Sequence, residues 1–302
     1  MVDITPKKNT LRQATAVSIL KTSKKETIEA IRNRTVPKGD VLEFSRAAGF
    51  FGVKKTPELI PDCHPLPIES TRIWHEIHGL EIHAFVEVKT IYKTGVEVEA
   101  MHGASVVALT MYDMLKPLDK GIEIASVKLL EKTGGKSDYY IPENLSASVI
   151  ISSDSIAVGK KEDKAGKAIV NKLQAYGIEN KNYQVIPDTS EVLKKKINEE
   201  AGTTDLLIIC GGTGLTSKDK TPETVISMLE TEIPGIMEAA RKYGQERTPV
   251  AFLSRGVAGM IGKTLVLAVP GSLNGARETM DALLPDILHV FKSKDFKPHS
   301  PR

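Results

Sequence analysis

The period of the apolar positions changes near the middle of the chain, and the two halves predict different kinds of fold. In the first half, Ala14–Leu20 is a strand candidate, and Ser23 with Glu26 has capping-box spacing for a short helix ending near Arg34. Asp40 is placed to cap a second helix, Val41–Val53. Residues 71–90 alternate, with Ile73, His75 and Ile77, then Ile82, Ala84, Val86 and Val88. A turn at His78-Gly79 makes these a hairpin with one buried face. Met101, Ala104, Ala108, Met111 and Leu115 recur at helical spacing over 96–116, and Pro117 ends that helix. A strand at Ile122–Leu130 follows. Hairpins and helices in this order predict an α+β unit with an antiparallel sheet.

The stretch TGGKSDYYIPENLS, residues 133–146, is polar and punctuated by Gly and Pro, with no period of its own. It separates a first domain, 1–142, from a second, 143–302. Beyond it, strands at Ser148–Ser152, Gln184–Ile186, Leu206–Cys210 and Thr264–Val269 alternate with helical segments. Those helices fall near Lys164–Tyr176, Glu191–Glu200, Pro222–Leu229 and Ile236–Tyr243, with a long one at the end. Wholly apolar strands between helices predict a doubly wound α/β unit, a mostly parallel sheet that binds ligands beyond its strands' C-terminal ends.

Composition narrows the function classes. The 302 residues carry 41 basic and 38 acidic side chains, a net charge of +3, too balanced for a charge-driven nucleic-acid binder. Aromatics are 5% and do not interleave with basic residues as a stacking platform would. No run of about 18 apolar residues predicts a membrane span, and the first residues lack the apolar core of a signal peptide. Two cysteines, Cys63 and Cys210, cannot build a disulfide framework. The expectation is a cytoplasmic two-domain enzyme for small molecules, with neither nucleic acid nor membrane as partner.

In the second half, Gly211, Gly212, Thr213 and Gly214 follow the most apolar strand, so the backbone can approach an anion closely. Asp188 and Asp219 follow strands at the same rim, and Pro270, Gly271 and Ser272 end another. Carboxylates beside a phosphate cradle suggest Mg²⁺ held by Asp188 and Asp219, because bare carboxylates would repel the phosphates. Ser153-Asp154, Asp163-Lys-Ala-Gly166, Pro187-Asp188, Gly211-Gly-Thr-Gly214, Asp219-Lys-Thr-Pro-Glu223 and Pro270-Gly271-Ser272 together resemble the molybdopterin adenylyltransferase family over residues 147–292. The resemblance implies binding of molybdopterin and of ATP with Mg²⁺, transfer of AMP to the pterin's terminal phosphate, and release of pyrophosphate. It implies positioning of metal and phosphates by Asp188 and Asp219, and a pterin or phosphate cradle at Gly211–Gly214. The alternative is a catalytically silent pterin-binding or oligomerisation module.

In the first half, five of the seven histidines lie between 64 and 102, with Cys63 beside them, but without C-x-x-C or H-E-x-x-H spacing for zinc. A more useful constellation combines Lys38, Cys63, His64, Glu97, Glu99, His102, Asp113 and Lys116, since lysines can hold phosphate oxygens while an acid–base pair moves protons. Lys38-Gly-Asp-Val41, Cys63-His-Pro65, Lys93-Thr-Gly-Val-Glu97, Glu99-Ala100, Tyr112-Asp113, Lys116 and Gly134-Gly-Lys136 resemble cyclic pyranopterin monophosphate synthase over residues 8–140. The resemblance implies a ferredoxin-like fold and a homo-oligomer with active sites between subunits. Its reaction turns a triphosphorylated cyclised dihydro-GTP into cyclic pyranopterin monophosphate plus pyrophosphate, with no cofactor. It implies a catalytic role for Asp113, with Lys38 and Lys116 at the substrate and Cys63, His64, Glu97 and Glu99 in contact with it. Together the two resemblances imply two pyrophosphate-releasing units in one chain, both serving molybdenum cofactor synthesis.

Overall fold

The computed structural model describes residues 1–135 and 140–292. The chain divides into two compact units, Met1–Asp138 and Tyr139–Arg302.

The first unit runs β1 (Thr10–Lys21), α1 (Lys25–Arg32), α2 (Val41–Leu59), β2 (Ser70–His78), β3 (Glu81–Tyr92), α3 (Glu97–Leu115), β4 (Glu123–Thr133). Its sheet has the order β2-β3-β1-β4 with every neighbour antiparallel. With α1 and α2 together in the place of its first helix, this is the β-α-β-β-α-β ferredoxin-like topology. Alternation decides which face is covered: Ala14, Ala16 and Leu20 of β1 and Ile82, Ala84, Val86 and Val88 of β3 are buried in one core with Ala100, Ala104, Val107 and Met111 of α3. Glycine brings α2 and α3 close together, since a Cβ on Gly49 would stand 2.5 Å from the Val107 side chain.

Two details depart from the sequence reading, while His75 lies on the buried face that the alternation predicts. Ser23 does not cap α1, whose N-cap is Lys24 without a side-chain bond. Instead Ser23 N donates to Asp119 Oδ2 at 2.7 Å and Thr27 Oγ1 to the same oxygen at 3.1 Å, so a buried carboxylate distant in sequence serves the helix start. Helix α2 begins under Asp40 as expected but continues to Leu59, through Pro57. Proline removes the donor for the Val53 carbonyl, and Thr56 Oγ1 supplies one at 3.0 Å. His75 faces α2, where its Nε2 lies 3.1 Å from Ser45 Oγ; burial pushes its pKa down to about 4, so the ring is neutral.

The second unit runs β5 (Ser146–Ser152), α4 (Asp154–Ala157), α5 (Ala165–Ala175), β6 (Glu179–Ile186), α6 (Ser190–Glu200), β7 (Leu206–Cys210), α7 (Thr221–Ile226), β8 (Thr231–Glu232), α8 (Pro234–Gln245), β9 (Val257–Ile261), β10 (Thr264–Val269), α9 (Leu273–Leu283). The sheet order is β6-β5-β7-β10-β9-β8, parallel from β6 to β10 and antiparallel at β9 and β8. Strands β5, β7 and β10 are buried along their whole length. Side chains on α5, α8 and α9 join the core on one face, and those on α6 and α7 join a separate core on the other. The long final helix of the sequence reading is shorter than expected: α9 ends at Leu283, and after Pro285 the chain continues as a 3-10 helix, Asp286–Lys292. No helix among the described residues is long and apolar enough to cross a membrane.

Candidate functional site

In the first unit the candidate residues fall into two places. Asp113, in the last turns of α3, is gripped from both sides: Lys38 Nζ lies 2.7 Å from Oδ2 and Lys116 Nζ 2.8 Å from Oδ1. Lys38 also donates to the Asp113 carbonyl at 2.8 Å, which fixes the loop before α2 against α3. Hydrogen bonds from Lys116 first and Lys38 second hold the Asp113 carboxyl down at about 2, so it is ionised at neutral pH and a weak base as it stands. All three side chains are open to solvent.

The second place is at the other end of α3. Cys63 Sγ donates to Glu99 Oε1 at 3.1 Å, and Glu99 is only 1% exposed. Burial, with the Glu99 bond and charge, pushes the Cys63 thiol up to about 12, and burial raises Glu99 too. Cys63 is therefore a protonated donor and no nucleophile. His64, beside it, donates from Nε2 to the Val2 carbonyl at 2.8 Å, and Glu97 pairs with Lys132 at 3.0 Å. Lys136 lies outside the described residues. Among those residues, no three His, Cys, Asp or Glu side chains gather as a metal cage.

In the second unit the residues do converge. A cleft of about 330 Å³ opens at the C-terminal ends of β5, β6 and β7, and Asp188, Gly211, Gly212, Asp219 and Gly271 all line it. The glycines are required by space. Gly211 has φ +114 and a Cβ there would stand 2.3 Å from the Ser152 carbonyl; Gly212 has φ +62, and its Cβ would lie 2.3 Å from Thr221 Oγ1 and 2.7 Å from Asp188 Oδ1. Ser152 Oγ donates to Asp188 at 2.9 Å, while burial and the charges of Asp154 and Asp219 raise the Asp188 pKa. Asp219 Oδ2 accepts from Thr216 N at 2.9 Å and Thr216 Oγ1 at 2.6 Å, bonds that lower its pKa and close the loop on itself. Thr213 is buried. Ser272 serves as the N-cap of α9, accepting from Gly275 N at 3.2 Å, and Pro270 accepts from the Cys210 thiol at 3.3 Å.

The lining of the cleft includes four carboxylates, Asp154, Asp163, Asp188 and Asp219, and no Lys or Arg. Beneath Gly212, the Thr221 hydroxyl is buried without a hydrogen-bond partner among the described residues. Oxygen donors of this kind suit a hard divalent cation shared with phosphate. Sequence reading misses Arg255, which donates from Nε to the Gly214 carbonyl at 2.8 Å and from its guanidinium to the Asp219 carbonyl at 2.6 Å, and pairs with Glu223. It ties both ends of the glycine-rich loop down from 36 residues beyond Asp219, with no local motif to betray it.

Comparison with known proteins follows the same division. Residues 1–135 match the model of the MoaC family, and residues 148–289 match the model described as "Probable molybdopterin binding domain". The chain is 36% identical over 294 residues to the molybdenum cofactor biosynthesis bifunctional protein of Chlorobaculum tepidum, covering 96% of this chain and 93% of that one. The protein of the same description from Synechococcus elongatus is 33% identical, covering 98% of each. A cyclic pyranopterin monophosphate synthase from Geobacillus sp. is 47% identical over 152 residues, which cover 48% of this chain and 87% of the relative. The crystal structure of the molybdopterin biosynthesis enzyme MoaB from Thermus thermophilus matches 51% of this chain and 99% of its own, at 37% identity and a TM-score of 0.46.

Proposed function

We propose, from the premise that this chain belongs to the bifunctional molybdenum cofactor biosynthesis proteins, that its second unit is an active molybdopterin adenylyltransferase and its first unit acts as a homo-oligomer. The first half is a cyclic pyranopterin monophosphate synthase and the second a molybdopterin-binding domain. The observation that carries the finer reading is the carboxylate-lined cleft folded around Gly211 and Gly212.

In the second unit, a terminal phosphate oxygen of molybdopterin attacks the α-phosphorus of ATP, the bond to the bridging oxygen breaks, and pyrophosphate leaves. Four carboxylates without a basic side chain would repel both phosphates. Asp188, assisted by Asp219, would hold Mg²⁺ there, which supplies charge neutralisation across the phosphates. Ser152 orients Asp188, and Arg255 fixes the loop.

In the first unit, Lys38 and Lys116 leave Asp113 for the substrate's phosphate oxygens. Losing its two cations raises the Asp113 pKa and makes it a base when the substrate is seated. The Cys63–Glu99 pair lies at the other end of α3, and a neighbouring copy brings it to the same substrate.

Incubation of the full-length chain with molybdopterin and MgATP tests the adenylyltransferase reading. Chromatography should reveal an adenylylated pterin together with pyrophosphate. Molybdopterin bound but never adenylylated would instead mean a silent pterin-binding module.

A further inference from the structure

Three residues after Glu99, and one turn along α3, stands His102, so the two side chains are neighbours on the helix surface. The His102 ring turns to α2, where Nδ1 lies 3.1 Å from Thr56 Oγ1. Thr56 is wholly buried, and its hydroxyl also lies 3.0 Å from the Gly52 and Val53 carbonyls. That hydroxyl has one proton to give. Pro57 leaves the Val53 carbonyl without a backbone donor, so the proton goes there and the oxygen accepts from the ring. His102 Nδ1 therefore carries a hydrogen, and the ring gains or loses its titrating proton at Nε2. Among the described residues, Nε2 has no hydrogen-bond partner. The same threonine holds the turn that bears Cys63: Ile60 N donates to the Thr56 carbonyl at 2.9 Å, and Cys63 N to the Ile60 carbonyl at 3.0 Å. Thr56 thus ties His102 and the Cys63–Glu99 pair into one cluster.

Only an ionised Glu99 accepts on both carboxylate oxygens. Burial works against that form, as does the charge of Glu97, while the charge of His102 works for it. The other cations on the surrounding elements are already paired: Lys132 of β4 with Glu97, the N-terminal amine with Asp62 beside Cys63, and Lys55 of α2 with Glu58. His64 is turned to the Val2 carbonyl. We infer that His102 is a positioning residue for the first unit's reaction: fixed by Thr56 and protonated at Nε2, it holds Glu99 as a carboxylate where the substrate arrives. This rests on the reading that Glu99 meets the substrate, and assigns the group that sets its charge.

The test is the pH dependence of kcat/KM for pyranopterin synthesis by the full-length chain, in wild type, His102→Asn and His102→Gln. This ratio follows the titrating groups of the free enzyme. Asparagine keeps an N–H for Thr56, and neither amide can gain a charge. Imidazoles as a class take up their proton between about pH 5 and 8, a range that meets the one in which a carboxylate raised by burial takes up its own. Without the imidazolium, Glu99 protonates more readily, so the acid limb should move up by about one pH unit, a 10-fold loss at each pH along that limb. Asp113, held at about 2, titrates well below this window. An acid limb that stays in place in both variants, or a loss of equal size at every pH, would overturn the inference. Glu99→Gln separates it from the reading beneath it. Full activity in Glu99→Gln would remove both, whereas an inactive Glu99→Gln with an unmoved limb in the His102 variants would remove only the role of His102.

Discussion

Asp113 and Glu99 stand on the same helix fourteen residues apart, which separates the lysine-gripped carboxylate from the thiol-bonded one by about 21 Å along the axis. That distance is too great for both to serve one pterin ring, and the proposed shared site takes its α3 ends from two copies. Lys116→Ala and Glu99→Gln should each be nearly inactive in pyranopterin synthesis. Co-refolding the two variants should restore about a quarter of wild-type activity, because mixed interfaces contain one intact site. Mixtures no more active than their components would place the whole reaction at one end of α3.

Gly212→Ala should disable the second unit alone. The new methyl falls on Thr221 Oγ1 and Asp188 Oδ1, at a residue with φ +62. We expect at least a 100-fold loss of adenylyl transfer with pyranopterin synthesis unchanged, assayed on the same preparation. Full transfer by the alanine variant would show that the loop does not approach its ligand closely.

The legible and illegible parts of the sequence differ in a physical way. Strand Thr264–Val269 is readable to the residue because every side chain is buried and its run is apolar. Strand β6 is legible only at its end, since Asn180, Asn182 and Gln184 interrupt the apolar pattern on an edge strand; Asn182 and Gln184 are matched by Glu200 of α6. Strand β9 escapes a reading of local pattern because Gly259 and Gly262 look like loop residues. The convergence of Asp188 with Asp219 follows from strand-end positions alone. The latch from Arg255 and the bond from Ser23 to Asp119 span tens of residues, and no local pattern encodes such partners.

Acid should destabilise the first unit through His75. An unfolded histidine titrates near pH 6.5, whereas burial holds the folded ring down at about 4. The unfolded chain therefore binds a proton that the folded one refuses. The stabilisation is complete above about pH 6.5 and is lost as pH falls toward 4, by at most about 3 kcal/mol. Denaturant titrations of His75→Gln should show a correspondingly flatter profile over that window. An unchanged slope would place the acid sensitivity elsewhere.

Ser18 points in the opposite direction energetically. Its hydroxyl is wholly buried on the helix-facing side of β1 and, among the described residues, has no partner. Ser18→Ala removes an unpaired oxygen and should stabilise the first unit by about 1 kcal/mol, raising its melting midpoint by a few degrees. Destabilisation of similar size would mean that the hydroxyl is bonded.

On the proposed reading one chain carries two pyrophosphate-releasing sites, one in each unit. The most direct measurement is pyrophosphate release from the full-length protein, given first the cyclised dihydro-GTP triphosphate and then molybdopterin with MgATP, in wild type, Lys116→Ala and Asp188→Asn. Wild type should release pyrophosphate with both, Lys116→Ala only with the second, and Asp188→Asn only with the first. No pyrophosphate from molybdopterin and MgATP in the wild-type protein, or loss of both activities in either variant, would contradict it.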